Sequence, residues 1–139
     1  MWNRCRLIAG ISCMMALLGC AATQSYRLPL DAHLARLTFA PLVSVAQSMG
    51  LQCAEFPDSI NVRYDETTWI QYMIQNSQFN MVIVVDDKVV PQEKLQAQFA
   101  DAKTKGDEIW AKAIDAAREV NGAVFAPPWR TPAEEHDRN

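Results

Sequence analysis

The sequence predicts an α+β domain, and three observations carry that expectation. Phe79 to Val85 (FNMVIVV) is a continuous run rich in β-branched residues, the pattern of a central strand covered on both faces. Pro41 to Met49 places Leu42, Val45, Ala46 and Met49 at i, i+3, i+4 and i+7, one face of a helix. Beyond Pro91, a longer stripe made of Leu95, Phe99, Ala102, Gly106, Ile109, Trp110, Ala113, Ala117 and Val120 repeats at helical spacing.

In chain order, the opening is Arg4 and Arg6 followed by an apolar run from Leu7 to Cys20, LIAGISCMMALLGC. Basic, then apolar, then small is the order of a secretory signal. The run is 14 residues long, short of the roughly 20 that span a bilayer. Its end, Leu17-Leu18-Gly19-Cys20, resembles the lipobox of bacterial lipoproteins. That resemblance implies cleavage before Cys20, acylation of Cys20 and a membrane anchor at the first mature residue. Ala21 stands where inner-membrane retention favours Asp, so the resemblance implies the periplasmic face of the outer membrane.

Cleavage would remove Arg4 and Arg6 and no acid, leaving 11 basic against 16 acidic side chains, a net charge of −5. Such a chain is no electrostatic match for nucleic acid or an anionic lipid surface. Cys5 and Cys13 would leave with the signal and Cys20 would carry lipid, so only Cys53 would remain as a thiol and no intrachain disulfide is expected. Leu51-Gln52-Cys53-Ala54 reads as a strand that buries Cys53 as a small apolar residue.

Residues 20–37 read as a lipidated tether. Ala21 to Leu30 is small and polar, a spacer that would lift the domain off the bilayer. Asp31 suits the cap of a short helix bearing Leu34 and Leu37, which is the preferred reading over a strand at Leu37-Thr38-Phe39. Residues 38–90 form the expected core. Gly50 stops the first helix. Leu51 to Phe56 and Ile60 to Tyr64 read as strands around a Pro57-Asp58-Ser59 turn. Asp65 looks like an N-cap, and Thr67 to Ser77 reads as a second helix with Trp69, Ile70, Met73 and Ile74 on its apolar face. After Phe79 to Val85, Asp86-Asp87 turns the chain into a short final strand, Lys88 to Val90. Residues 91–121 are the long helix. Residues 122–139 hold Pro127, Pro128 and Pro132 and read as an extended tail.

One further resemblance covers Pro41 to Val90. The pieces VAQSMGLQCA, INVRYDETTWIQYMI and FNMVIVVDDKVV are similar to the short N-terminal domain of secretins and signalling TonB-dependent receptors. The resemblance implies the order helix, strand, strand, helix, strand, strand, and a module that contacts proteins.

No catalytic or metal motif stands out. His33 and His136 each lack a second ligand at metal spacing, and there is no GxSxG. Asp65-Glu66 is explained by a helix start and Asp86-Asp87 by a turn. No cofactor is expected. Trp69 and Tyr72, three apart on the expected helix, and Trp129, beside two prolines, are the candidate partner-binding residues. The expectation is a non-catalytic, lipid-anchored binding or assembly accessory of an envelope complex. A structural or solute-binding lipoprotein and a small periplasmic hydrolase are the alternatives.

Overall fold

The computed structural model describes residues 21–121. Its elements are β1 (Ala22–Arg27), a short helix α1 (Ala32–Ala35) running through a 3-10 turn (Arg36–Thr38) into α2 (Phe39–Ser48), then β2 (Gln52–Phe56), β3 (Ser59–Asp65), β4 (Thr68–Gln75), β5 (Gln78–Val85) and, after a 3-10 turn at Gln92–Lys94, the long helix α3 (Leu95–Asn121). This is an α+β fold. All neighbouring strands are antiparallel, in the order β1-β5-β4-β3-β2.

Each expected element that survives has a local cause. Gly50, at φ +78°, ends α2. Its amide bonds the Gln47 carbonyl at 2.9 Å and the Leu51 amide bonds that of Ala46 at 3.0 Å, a Schellman closure. Pro57 and Asp58 turn β2 into β3, and Asp58 is held by an ion pair with Arg36.

Three expectations are corrected. Thr67 to Ser77 is not a helix. It is strand β4, because Asn76 and Ser77, at φ 52° and 60°, form a two-residue hairpin turn that pairs β4 with β5 along their whole length. Asp65 accordingly caps no helix; its carboxylate accepts the Thr67 amide and hydroxyl, both at 2.8 Å, to shape the β3–β4 turn. The element order therefore lacks the second helix that the secretin-like pattern requires. Ala21 to Leu30 is not a free tether: β1 pairs with β5 from Ala22↔Val85 to Arg27↔Asn80, and Leu28 and Leu30 are buried. Its polar residues serve an edge strand, which needs to bury little. Lys88 to Val90 adds no strand, because a turn closes instead through Val89 and Val90 amides on the Asp86 carbonyl.

Alternation sorts the sheet into two faces. Ile60, Val62, Ile70, Tyr72, Phe79, Met81 and Ile83 point to one of them and meet Leu42 and Ala46 of α2 and Phe99, Ala102, Ile109 and Trp110 of α3. The predicted stripe of α3 is buried along that contact as far as Ala117, while Val120 is 83% exposed beyond its end. Gly106 sets the closeness of the crossing: a Cβ there would collide with Met81 Sδ and sit 3.3 Å from Ile70 Cγ2. Phe79 stacks edge-on against Trp110 at 5.5 Å.

Candidate binding surface

Trp69 and Tyr72 are both on β4, but an odd spacing on a strand sends them to opposite faces. Tyr72 points into the core with no exposure, and its hydroxyl donates to the Gly106 carbonyl at 2.6 Å. Burial pushes its phenol far above the ordinary tyrosine range. It is therefore a core residue and not a surface for a partner. Trp69 lies on the other face, half-buried, with the Arg63 guanidinium 5.5 Å from its ring centre. Cys20 and Trp129 lie outside the described residues. His33 is exposed on α1, and among the described residues no group of three His, Cys, Asp or Glu side chains is placed to hold a metal. Cys53 is half-buried rather than enclosed.

One hollow was not anticipated from the sequence. It is an open groove of about 740 Å³ between β1 and the middle of α3. Tyr26, Leu28, Trp110 and Ile114 give it an apolar floor. Its rim is charged with both signs. Lys103 pairs with Asp107 at 2.7 Å and sits 5.0 Å above the Tyr26 ring, and Arg118 pairs with Asp115 at 2.9 Å. The Asp107 hydrogen bond raises the Lys103 pKa, so the ammonium stays charged.

One wall of the groove is an edge strand. Among the described residues β1 pairs only with β5, so every second main-chain amide and carbonyl along its outer side has no strand partner there. An apolar floor, a mixed-charge rim and an unpaired strand edge together suit an extended polypeptide, which would add main-chain hydrogen bonds to β1 and seat side chains on the floor. The sequence signal for this was the Thr23-Gln24-Ser25-Tyr26 stretch, whose β-formers Thr23 and Tyr26 flank the polar Gln24 and Ser25.

Compared with protein-family models, with curated proteins and with solved structures, the chain matches none.

Proposed function

We propose that this chain is a lipid-anchored protein of the cell envelope, held through Cys20 on the periplasmic face of the outer membrane, and that it acts without catalysis as a binding or assembly accessory. The groove between β1 and α3 carries this reading. It is open along its length, so it suits an extended protein segment better than an enclosed solute. Its two signs of charge suit a peptide and not a polyanion.

The test is site-specific photocrosslinking in intact cells. A photoreactive amino acid at Ala111, an exposed position on the groove's helical wall, should give a discrete protein adduct. The same group at Gln52 or Glu55, on the opposite edge strand β2, should not. An Ala111→Trp change, which fills the groove, should abolish an adduct formed from Arg27. Adducts of equal yield at Gln52 and Ala111, or none from the groove, would reject this role for it.

A further inference from the structure

The sheet and the long helix share one end. Ala22, the first residue of β1, stands opposite Val85 at the end of β5, and Val85 stands opposite Thr68 at the start of β4. Asp65, last in β3, also pairs with Thr68. The loop after β5 closes on the β3–β4 turn, where the Asp86 amide donates to the Thr67 carbonyl at 2.8 Å. α3 begins at the same level: Gln24 Nε2 donates to Gln96 Oε1 at 3.4 Å, and Ala22 and Thr23 share a hollow with Gln92, Leu95 and Phe99.

The opposite end is defined in the same way. Arg27 stands opposite Asn80, Gln75 opposite Gln78 and Phe56 opposite Ser59. The Ile74 amide donates to the Asp58 carbonyl at 2.8 Å, so the β2–β3 and β4–β5 turns lie together. Trp110 of α3 meets Phe79 near this end, at 5.5 Å between ring centres. β1 and α3 therefore run in the same direction. The 8 residues of β4 hold the two ends about 24 Å apart.

Covalent geometry ties the first end to position 20, because the chain from Cys20 to Ala22 reaches at most about 7 Å. We propose that this end is the surface that faces the bilayer, and that the domain stands on it with β1 and α3 directed away from the membrane. The inference rests on the reading that Cys20 is acylated. Among the described residues, the surface consists of the β3–β4 turn and residues 86–94. It sets Asp65, Glu66, Asp86, Asp87 and Glu93 against Lys88 and Lys94. An anionic headgroup layer repels that excess of acid, so the surface fits a zwitterionic one. Val89, 63% exposed in the same loop, offers the headgroups an apolar contact. The groove then opens in the upper part of the domain. Tyr26 lies about 14 Å along β1 from its start, and Ile114 and Arg118 lie farther along α3. A partner reaches the groove from the aqueous side and not through lipid.

The experiment uses the protein purified in detergent from cells that express the full chain, then placed in phosphatidylcholine vesicles containing a headgroup nitroxide lipid. Each sample carries Cys53→Ser and one fluorophore-labelled cysteine at an exposed position. Glu66→Cys and Lys88→Cys report the first end, Gln75→Cys and Gln78→Cys the other. The nitroxide quenches only at close range. Emission should fall several-fold at positions 66 and 88 and stay near its nitroxide-free value at 75 and 78. Replacing part of the phosphatidylcholine by phosphatidylglycerol at low salt should relieve the quenching at 66 and 88; unchanged quenching there would overturn the lipid preference. Equal quenching at both ends, as for a domain lying flat, overturns the proposal, and so does stronger quenching at 75 and 78. Intact mass reports separately whether the chain is acylated. A chain without acyl mass overturns the anchor reading and this proposal together. An acylated chain quenched at the wrong end overturns this proposal alone.

Discussion

The Tyr72 hydroxyl on β4 and the Gly106 carbonyl on α3 are joined by a 2.6 Å hydrogen bond, the one polar contact tying the middle of the sheet to the middle of the long helix among the bonds seen in the core. Glycine at 106 is what lets the helix come that close. Gly106→Ala would recover about 1 kcal/mol of helix propensity but overpack a full core, which costs about 1–3 kcal/mol. The expected result is a net loss of about 1 kcal/mol, read as a lower urea midpoint with an unchanged slope. Tyr72→Phe should lose about 1–2 kcal/mol in the same measurement by removing the bond.

Trp110, 8% exposed and stacked on Phe79, anchors the same helix. Trp110→Ala should cost about 3–5 kcal/mol. Val120→Ser, on the same helix but at a position that is 83% exposed, should stay within about 0.5 kcal/mol of the parent. Thermal unfolding of both variants separates the docked stretch of the helix from its free end.

Much of this fold was legible because its helices bury one side only. The α2 face and the α3 stripe show their period, and Gly50 and Gly106 sit where the stop and the close crossing are found. β4 was not legible. Ile70, Tyr72 and Ile74 point toward the helices, while Trp69, Gln71 and Met73 point away. A strand buried on both sides has no alternation, and Trp69, Ile70, Met73 and Ile74 then imitate a helical face. What decided the matter was the Asn76-Ser77 turn and the β-formers Thr68, Trp69, Ile70 and Tyr72, which are favoured once β3 and β5 flank them. The groove was illegible for a different reason: β1 pairs with a strand more than fifty residues away, and no local pattern reports such a partner.

Asp65 should make the domain acid-sensitive. Partial burial pushes its carboxyl up, but hydrogen bonds from the Thr67 hydroxyl and amide, and from Gln98 at 2.7 Å, prevail and hold it below the ordinary range. A lowered folded pKa stabilises above the unfolded value, about 3.9, and that stabilisation is lost as pH falls through the folded value. Asp65→Asn should therefore be less stable than the parent at pH 7, with the gap closing below about pH 4. Chemical denaturation across that range measures it.

At Cys53, burial pushes the thiol up from its ordinary range. Rising pH then ionises the unfolded thiol before the folded one, so stability falls as pH passes about 8.5. A thiol reagent at pH 8 should modify the folded protein at least several-fold more slowly than the urea-unfolded chain. Equal rates would show that the neighbouring β3 and α2 side chains leave the sulfur open.

Cys20→Ser tests the proposed anchor. Cells expressing it should incorporate no labelled fatty acid into the protein and should accumulate the uncut chain. Persistent labelling would place the lipid elsewhere and remove the basis for a membrane-held accessory.

If Cys20 is the anchor, the start of β1 at Ala22 has a mechanical consequence. Only Ala21, itself 2% exposed, separates the lipidated residue from the first strand pair, Ala22↔Val85. A pull on the anchor would run straight along β1 and load its six-residue ladder with β5 lengthwise, so that the rungs share the force instead of parting one at a time. The domain would also have no slack. It could neither swing nor stretch toward distant targets, and its working radius above the bilayer would be its own diameter, about 30–35 Å for a chain this size. Any partner would have to come to the membrane surface to meet it.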